Sequence, residues 1–293
     1  MVVTPPTSPS RPPEVIAPGR VAVVTGAASG IGLGLSQRLA AEGMHVVMAD
    51  VEEPVLSKAA AELRERGASV LPVATDVADR TAVEALRDAA VAAYGAVHLL
   101  CNNAGVFQAG LVWQRTAADW DWVLGVNLFG ILHGIRAFVP RLLEQGGDTH
   151  IVNTASMAGL ISVAYSGPYV VSKFAAAALT ECLAHDLRAQ ESSIGVSCLV
   201  PGLVDTRIAD STRNRPDEPP SEVTAPDHHF VAGVLREQTS TGGRHPDEVA
   251  AIVFDAVRAR QFWIPTTDGY EALVRGRADA LLRRAMPPTA QFD

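Results

Sequence analysis

Lysine is nearly missing from this chain: Lys58 and Lys173 are the only two among 293 residues, so the positive charge is carried by dispersed arginines. With 24 basic against 32 acidic residues the net charge is −8, which excludes the electrostatic footprint that binding nucleic acid or an anionic membrane requires. Cysteine is also scarce. Cys101, Cys182 and Cys198 are odd in number, far apart and set in apolar stretches, which argues against a disulfide framework and for free thiols in a reducing, cytoplasmic compartment. No histidine cluster has ligand spacing, since His228 and His229 are merely adjacent, and no metal is expected. Residues 1–19 hold six prolines and no continuous apolar stretch, so they read as a disordered Pro-rich leader and not as a secretory signal or membrane span.

What is present is ample for a core, at 48% hydrophobic residues. From Arg20 the chain alternates short β-branched runs, at Val21–Thr25, His45–Asp50 and residues 70–75, 97–102, 150–155 and 196–200, with longer helical patterns. Pro54 and Gly67 punctuate one helix, and Thr81 with Glu84 forms a candidate capping box for the next. Val83, Leu86, Ala90 and Tyr94 then make one apolar stripe for packing on a sheet. Residues 205–245 lose this periodicity and read as either a lid or a disordered segment, with their position after the last core strand favouring a lid. A helix over 246–260, a seventh strand over 262–266 and an arginine-rich helix over 270–285 follow. The expected class is α/β: a doubly wound, Rossmann-type, mostly parallel seven-stranded sheet with helices on both faces. It forms a single domain over 20–266, with residues 267–293 a helical extension.

The first strand runs into Thr25-Gly26-Ala27-Ala28-Ser29-Gly30-Ile31-Gly32 and then a helix, a turn in which backbone can approach a pyrophosphate at the helix N-terminus. Asp50 ends the second strand, placed to accept hydrogen bonds from adenosine ribose hydroxyls. A carboxylate there repels a 2′-phosphate, and neither Ser29 nor Val51 supplies compensating positive charge, so NAD is expected over NADP. Standing alone, Asp50 would read as a helix cap or surface acid.

Tyr169 and Lys173 are four residues apart, one helical turn, which sets the ammonium beside the phenol. A phenol titrates near pH 10 in isolation, and a neighbouring cation lowers that value toward the range of a working base.

In order along the chain, TGAASGIG at 25–32, Asp76-Val77, Asn102-Asn103-Ala104-Gly105, Asn127, Ser156, Tyr169 with Lys173, and Pro201-Gly202 leading to Thr206 resemble the short-chain dehydrogenase/reductase family. The resemblance spans residues 19–266 and implies an oxidoreductase interconverting a secondary alcohol and a ketone. By that resemblance Asp76 and Val77 meet the adenine, and Asn103, Ala104 and Gly105 line the cofactor trough. Pro201, Gly202, Val204 and Thr206 close over the nicotinamide. Tyr169 is the general base or acid, Ser156 steadies the substrate oxygen, and Lys173 lowers the phenol and bonds the nicotinamide ribose. Asn127 holds a water that relays protons. Each motif has a plain alternative taken singly: a helix cap for Asp76, a turn for 102–105, a strand-end serine for Ser156, a locally bonded asparagine for Asn127.

Phe107, Trp113 and Tyr165 with the lid would make an apolar pocket for a bulky hydrophobic or aromatic alcohol, whereas Trp120 and Trp122 read as packing. The family pairs through the helices that contain Asn127 and Tyr169, so a homodimer or homotetramer is expected. Two alternatives are an NADP(H)-dependent ketoacyl-type reductase and a catalytically idle NAD-binding sensor, the latter having no need for the four catalytic residues together.

Overall fold

The computed structural model describes residues 14–216 and 226–289. Residues 1–13 of the expected leader, 217–225 of the expected lid and the final 290–293 lie outside the described residues. Strands β1 (Val21–Thr25), β2 (His45–Asp50), β3 (Val70–Ala74), β4 (Leu99–Asn102), β5 (His150–Thr154), β6 (Gly195–Val200) and β7 (Trp263–Pro265) form one sheet in the order 3-2-1-4-5-6-7. Every pairing is parallel. Successive side chains on a strand face opposite ways, so β1 sends Ala22 and Val24 to one core layer and Val21 and Val23 to the other.

The first layer packs under α1 (Gly30–Ala41), α2 (Glu53–Glu65) and α8 (Pro246–Arg258). The second packs under α3 (Arg80–Tyr94), α5 (Gly130–Gln145) and α6 (Gly167–Ala189). Strand order reverses between β1 and β4, which opens a crevice at their carboxyl ends.

Order begins earlier than the leader expected over 1–19. Val15 and Ile16 are buried and join the first core layer, and the Gly19 N–H donates to the Gly43 carbonyl at 2.9 Å. Ile16 lies with Leu35 and Leu39 of α1 and Val253 and Phe254 of α8, burial that proline-rich surroundings concealed. The α3 cap also differs from the capping box expected at Thr81 and Glu84: Asp79 is the N-cap, its carboxylate accepting the Thr81 N–H at 2.7 Å.

Helix α4 (Ala117–Leu124) runs through a π-helical turn at Gly125–Phe129 into α5. The continuous helix Ala117–Gln145 is long and apolar enough by composition to cross a membrane, yet its apolar residues include Val123, Ile131, Phe138 and Leu142, all buried in the protein core. The expected lid is partly regular. A 3-10 segment at Arg207–Asn214 follows Thr206, and α7 (Pro226–Gly242) precedes α8; helix α9 (Tyr270–Arg283) closes the described chain.

Candidate active site

The crevice is a groove of about 790 Å³ along the carboxyl ends of the strands. Gly26, Ser29, Gly30, Ile31, Asp50, Val51, Asp76, Val77, Asn103, Ala104, Gly105, Ser156, Tyr169, Lys173, Pro201, Gly202, Val204 and Thr206 all line it. Of the catalytic and cofactor-binding residues expected from the sequence, only Gly32 and Asn127 do not.

Gly32 is a correction. It lies beneath the floor, where a Cβ would come within 2.1 Å of the Gly26 carbonyl oxygen, so its part is to let α1 start hard against the turn. Gly26 adopts φ +66°, and a Cβ there would reach the Ala104 backbone at 2.8 Å. The turn is thereby pressed between helix and neighbouring loop, with the Asn103 amide close to Gly26 and the Thr206 methyl close to Gly30. Thr25 ties it to the fourth strand's loop, its hydroxyl accepting the N–H groups of Asn103 (2.9 Å) and Ala104 (3.1 Å). Asp50 faces the same turn: one carboxylate oxygen accepts the Ala28 N–H at 2.9 Å and the other the Glu52 N–H at 3.0 Å. Each oxygen keeps a lone pair for a further donor.

Tyr169 and Lys173 occupy the first two turns of α6, whose start is set by Pro168. The spacing expectation holds, with the Lys173 ammonium 5.7 Å from the Tyr169 ring centre. Lys173 is buried and donates to the Thr154 carbonyl at 3.0 Å. Burial pushes its pKa down to about 8, opposed by Cys198 nearby. Burial likewise pushes the Tyr169 phenol above its ordinary value, while a hydrogen bond with Ser156 pulls it down. Desolvation of the phenolate thus outweighs the Ser156 bond, and the expected lowering by Lys173 is not among the causes of the shift. Ser156 caps a short 3-10 turn, accepting the Ala158 N–H at 3.1 Å, and so holds its hydroxyl toward Tyr169.

Asn127 is fully buried in the π-helical turn. Its amide donates to the Val106 carbonyl (2.9 Å) and the Ser172 hydroxyl (2.9 Å) and accepts the Val106 N–H (2.8 Å). Both amide protons are spent, so the side chain clamps the groove wall instead of facing the groove. The π turn displaces helical backbone carbonyls from the ordinary ladder.

Beyond Tyr169 the groove is walled by Phe107, Met157, Ile161, Val163, Ile208 and Leu235. Phe107 meets the Tyr169 ring edge to face at 5.1 Å, as an apolar pocket would need. Trp113 and Tyr165 correct the sequence reading: they are 78% and 46% exposed and lie outside the groove, whereas Trp122 lines it.

The sequence led to the expectation of a lid over 205–245 but not of the contacts that hold its described part across the groove. Ser211 accepts the Phe107 N–H at 2.7 Å, Arg215 forms a buried ion pair with Asp119, and Arg213 and Asn214 bond to Glu52. Asp119 is itself in the Thr116 capping box, and burial, which would raise its pKa, is overcome by Arg215 so that the carboxyl sits below its usual value. Helix α7 is docked by Asp227, which accepts the Leu111 N–H at 2.8 Å, and by His228, which accepts the Ala109 N–H at 3.3 Å. The only sequence signal for these contacts was the run of arginines at 207–215.

Residues 20–217 match the short chain dehydrogenase family. The chain is 43% identical over 276 residues to the 1-deoxy-11-beta-hydroxypentalenate dehydrogenase of Streptomyces arenae, covering 92% of this chain and 90% of that one. It is 37% identical over 198 residues to the C alpha-dehydrogenase of Sphingobium sp., covering 67% and 64%. Among solved structures, a short chain dehydrogenase/reductase from Burkholderia phymatum in complex with NAD superposes with a TM-score of 0.90 at 40% identity, over 94% of this chain and 99% of that one.

Proposed function

The chain belongs to the short-chain dehydrogenase/reductase family, an oxidoreductase acting on CH–OH groups with a nicotinamide dinucleotide, and from that premise we propose that it is an NAD-dependent dehydrogenase of a bulky hydrophobic or aromatic secondary alcohol. The observation that carries the reading is the convergence of Ser156, Tyr169 and Lys173 at the junction of a glycine-cradled groove and an apolar pocket. The glycine turn at Gly26 and Gly30, both at positive φ, and the part-used carboxylate of Asp50 fit a dinucleotide. Gly30 to Ile31 would meet the pyrophosphate, Asp50 the adenosine ribose, Asp76 and Val77 the adenine, and Thr206 with Val204 the carboxamide. When bound, the nicotinamide supplies the hydride acceptor.

Tyr169 takes the proton of the substrate hydroxyl at its phenolic oxygen. Its site near the N-terminus of α6 puts the positive end of the helix dipole beside the phenolate that accepts this proton. Ser156 donates to the substrate oxygen and keeps it within reach of Tyr169. Lys173, anchored on Thr154, holds the nicotinamide ribose and adds positive charge near the phenol. Asn127 positions the wall through Val106 and Ser172, which leaves the relay water to its backbone carbonyl. The pocket walls match substrates that bury apolar area. A relative named for a hydroxypentalenate, and another named a C alpha-dehydrogenase, support a hydroxyl-bearing substrate of that size.

We further propose a cytoplasmic homodimer or homotetramer. Free thiols at Cys101, Cys182 and Cys198 suit a reducing compartment, and half-exposed Phe129 and Val171 on the catalytic helices suit a subunit contact. The test is a panel of secondary alcohols with NAD and with NADP, followed by the absorbance of the reduced nicotinamide. Turnover of bulky alcohols with NAD is expected; a preference for NADP, or activity on small polar alcohols alone, would contradict the reading.

A further inference from the structure

Glu52 lies two residues beyond Asp50 and gathers the cations at the adenosine end of the groove. Its Oε1 accepts Arg213 through Nε (3.0 Å) and Nη2 (2.5 Å) and also Asn214 Nδ2 (3.0 Å), while Oε2 is 3.9 Å from Arg207 Nη1. All four side chains line the groove with Asp50 and Val51. The Glu52 backbone N–H bonds to Asp50 Oδ1 at 3.0 Å, so the cluster is one residue removed from the carboxylate that would meet the ribose. Arg213 is held independently of Glu52 as well, its Nη1 donating to the backbone carbonyls of Arg207 (3.1 Å) and Asp210 (3.0 Å).

Two guanidinium groups at this place have a chemical consequence. Guanidinium is the preferred protein partner of phosphate, because its fork of donors matches the oxygens and its charge is weakly hydrated. A 2′-phosphate on the adenosine ribose would lie beside Asp50 and within the field of Arg207 and Arg213. Glu52 is the carboxylate that engages both of those cations. Burial favours its neutral form, but the bonds and charges of Arg213, Asn214 and Arg207 hold it ionised, so it presents a full counter-charge.

We infer that Glu52 is a specificity-determining residue: by occupying Arg213 and Arg207 it denies them to a 2′-phosphate, so discrimination against the phosphorylated dinucleotide is shared between two carboxylates. The inference rests on the NAD reading above. Asp50 discriminates by its own charge and by bonding ribose hydroxyls; Glu52 discriminates by cancelling charge that the segment 207–214 brings across the groove. Discrimination against a competitor commonly needs such an added obstacle, since the two ligands share every other contact.

The test is a calorimetric titration of the purified protein with NADH and with NADPH, in the wild type and in Glu52→Gln. Glutamine keeps the shape and an acceptor for Arg213 but removes the charge. Affinity for NADPH is expected to tighten about tenfold while that for NADH changes less than about threefold. In Glu52→Gln/Arg213→Gln the gain should vanish. Unchanged NADPH affinity in Glu52→Gln, an equal weakening toward both dinucleotides, or a gain that survives removal of Arg213 would each overturn the inference. Should Glu52→Gln fold poorly, Glu52→Ala serves instead, with the same gain toward NADPH expected and its absence contradicting the proposal. Preference of the wild type for NADPH would instead strike the cofactor reading itself.

Discussion

The Asp50 carboxylate accepts the Ala28 backbone N–H at 2.9 Å, joining the end of the second strand to the glycine turn that follows the first. The residue placed to meet a ribose therefore also shapes the cradle. Asp50→Ala should weaken selectivity for NAD and also cost about 1–3 kcal/mol of stability, since the Ala28 N–H loses its acceptor. Denaturant melts and NAD against NADP kcat/KM check both halves. A change in selectivity with no change in melting would show that the turn does not depend on this bond.

Tyr169→Phe keeps the ring that packs on Phe107 but removes the hydroxyl bonded to Ser156. Turnover should fall by about a thousandfold, with NADH affinity and Tm close to the wild type. Retained turnover would rule out this tyrosine as the proton-transfer group, and an idle dinucleotide sensor would show no turnover even in the wild type.

Lys173→Met separates function from stability. Burial lowers the ammonium to about 8, below its ordinary 10.5, so its charge opposes folding fully below about pH 8 and this penalty fades as pH rises toward 10.5. At pH 7 the methionine variant should be inactive and melt no lower than the wild type. A large drop in Tm would mean that the bond to Thr154 outweighs the cost of the buried charge.

Glycine substitutions should divide by what a Cβ would meet. Gly32→Ala drives a methyl into the Gly26 carbonyl and should cost about 3 kcal/mol or more, with loss of NADH binding. Gly233→Ala, in α7 with nothing within 4 Å, should leave Tm unchanged or raise stability by about 0.5–1 kcal/mol. Thermal melts of the pair check the contrast.

Acid should unfold the protein through two histidines, the half-buried His98 and the buried His150. Burial, helped by the Arg20 and Arg260 charges, lowers His98 to about 4 and His150 to about 3. Both folded values lie below the ordinary 6.5, so the unfolded chain binds protons that the folded chain refuses. Their stability contribution is whole above pH 6.5 and is lost as pH falls toward 4 and 3. Urea midpoints should therefore drop between about pH 6.5 and 5, above the range where carboxylates titrate. A flat midpoint across that window would show that neither histidine is held neutral.

The alternating sheet, the glycine turn, Asp50 and the Tyr169–Lys173 spacing were legible because each rests on a local period: two for strands, 3.6 for helices, fixed offsets for the turn. Trp113 and Tyr165 misled because an aromatic residue near a site in sequence carries no information about which way its loop turns. Val15 and Ile16 were hidden by the prolines around them. The pairing of Glu52 with Arg213 joins residues 161 apart and that of Asp119 with Arg215 joins residues 96 apart, and polar contacts at such separations leave no periodic trace.

By itself, then, the amino-acid sequence determined the layered α/β architecture, the glycine cradle and the placing of Tyr169 and Lys173 on one helical face, because hydrogen-bond periodicity and steric need act between near neighbours. Only the tertiary structure decided how strongly burial opposes the ammonium at Tyr169, that the Asn127 side chain faces the wall and not the groove, and that Glu52 collects the arginines of the segment over the adenosine end. Dielectric and charge compensation depend on everything within several ångströms of a group, and the chain assembles those surroundings from parts that lie far apart along it.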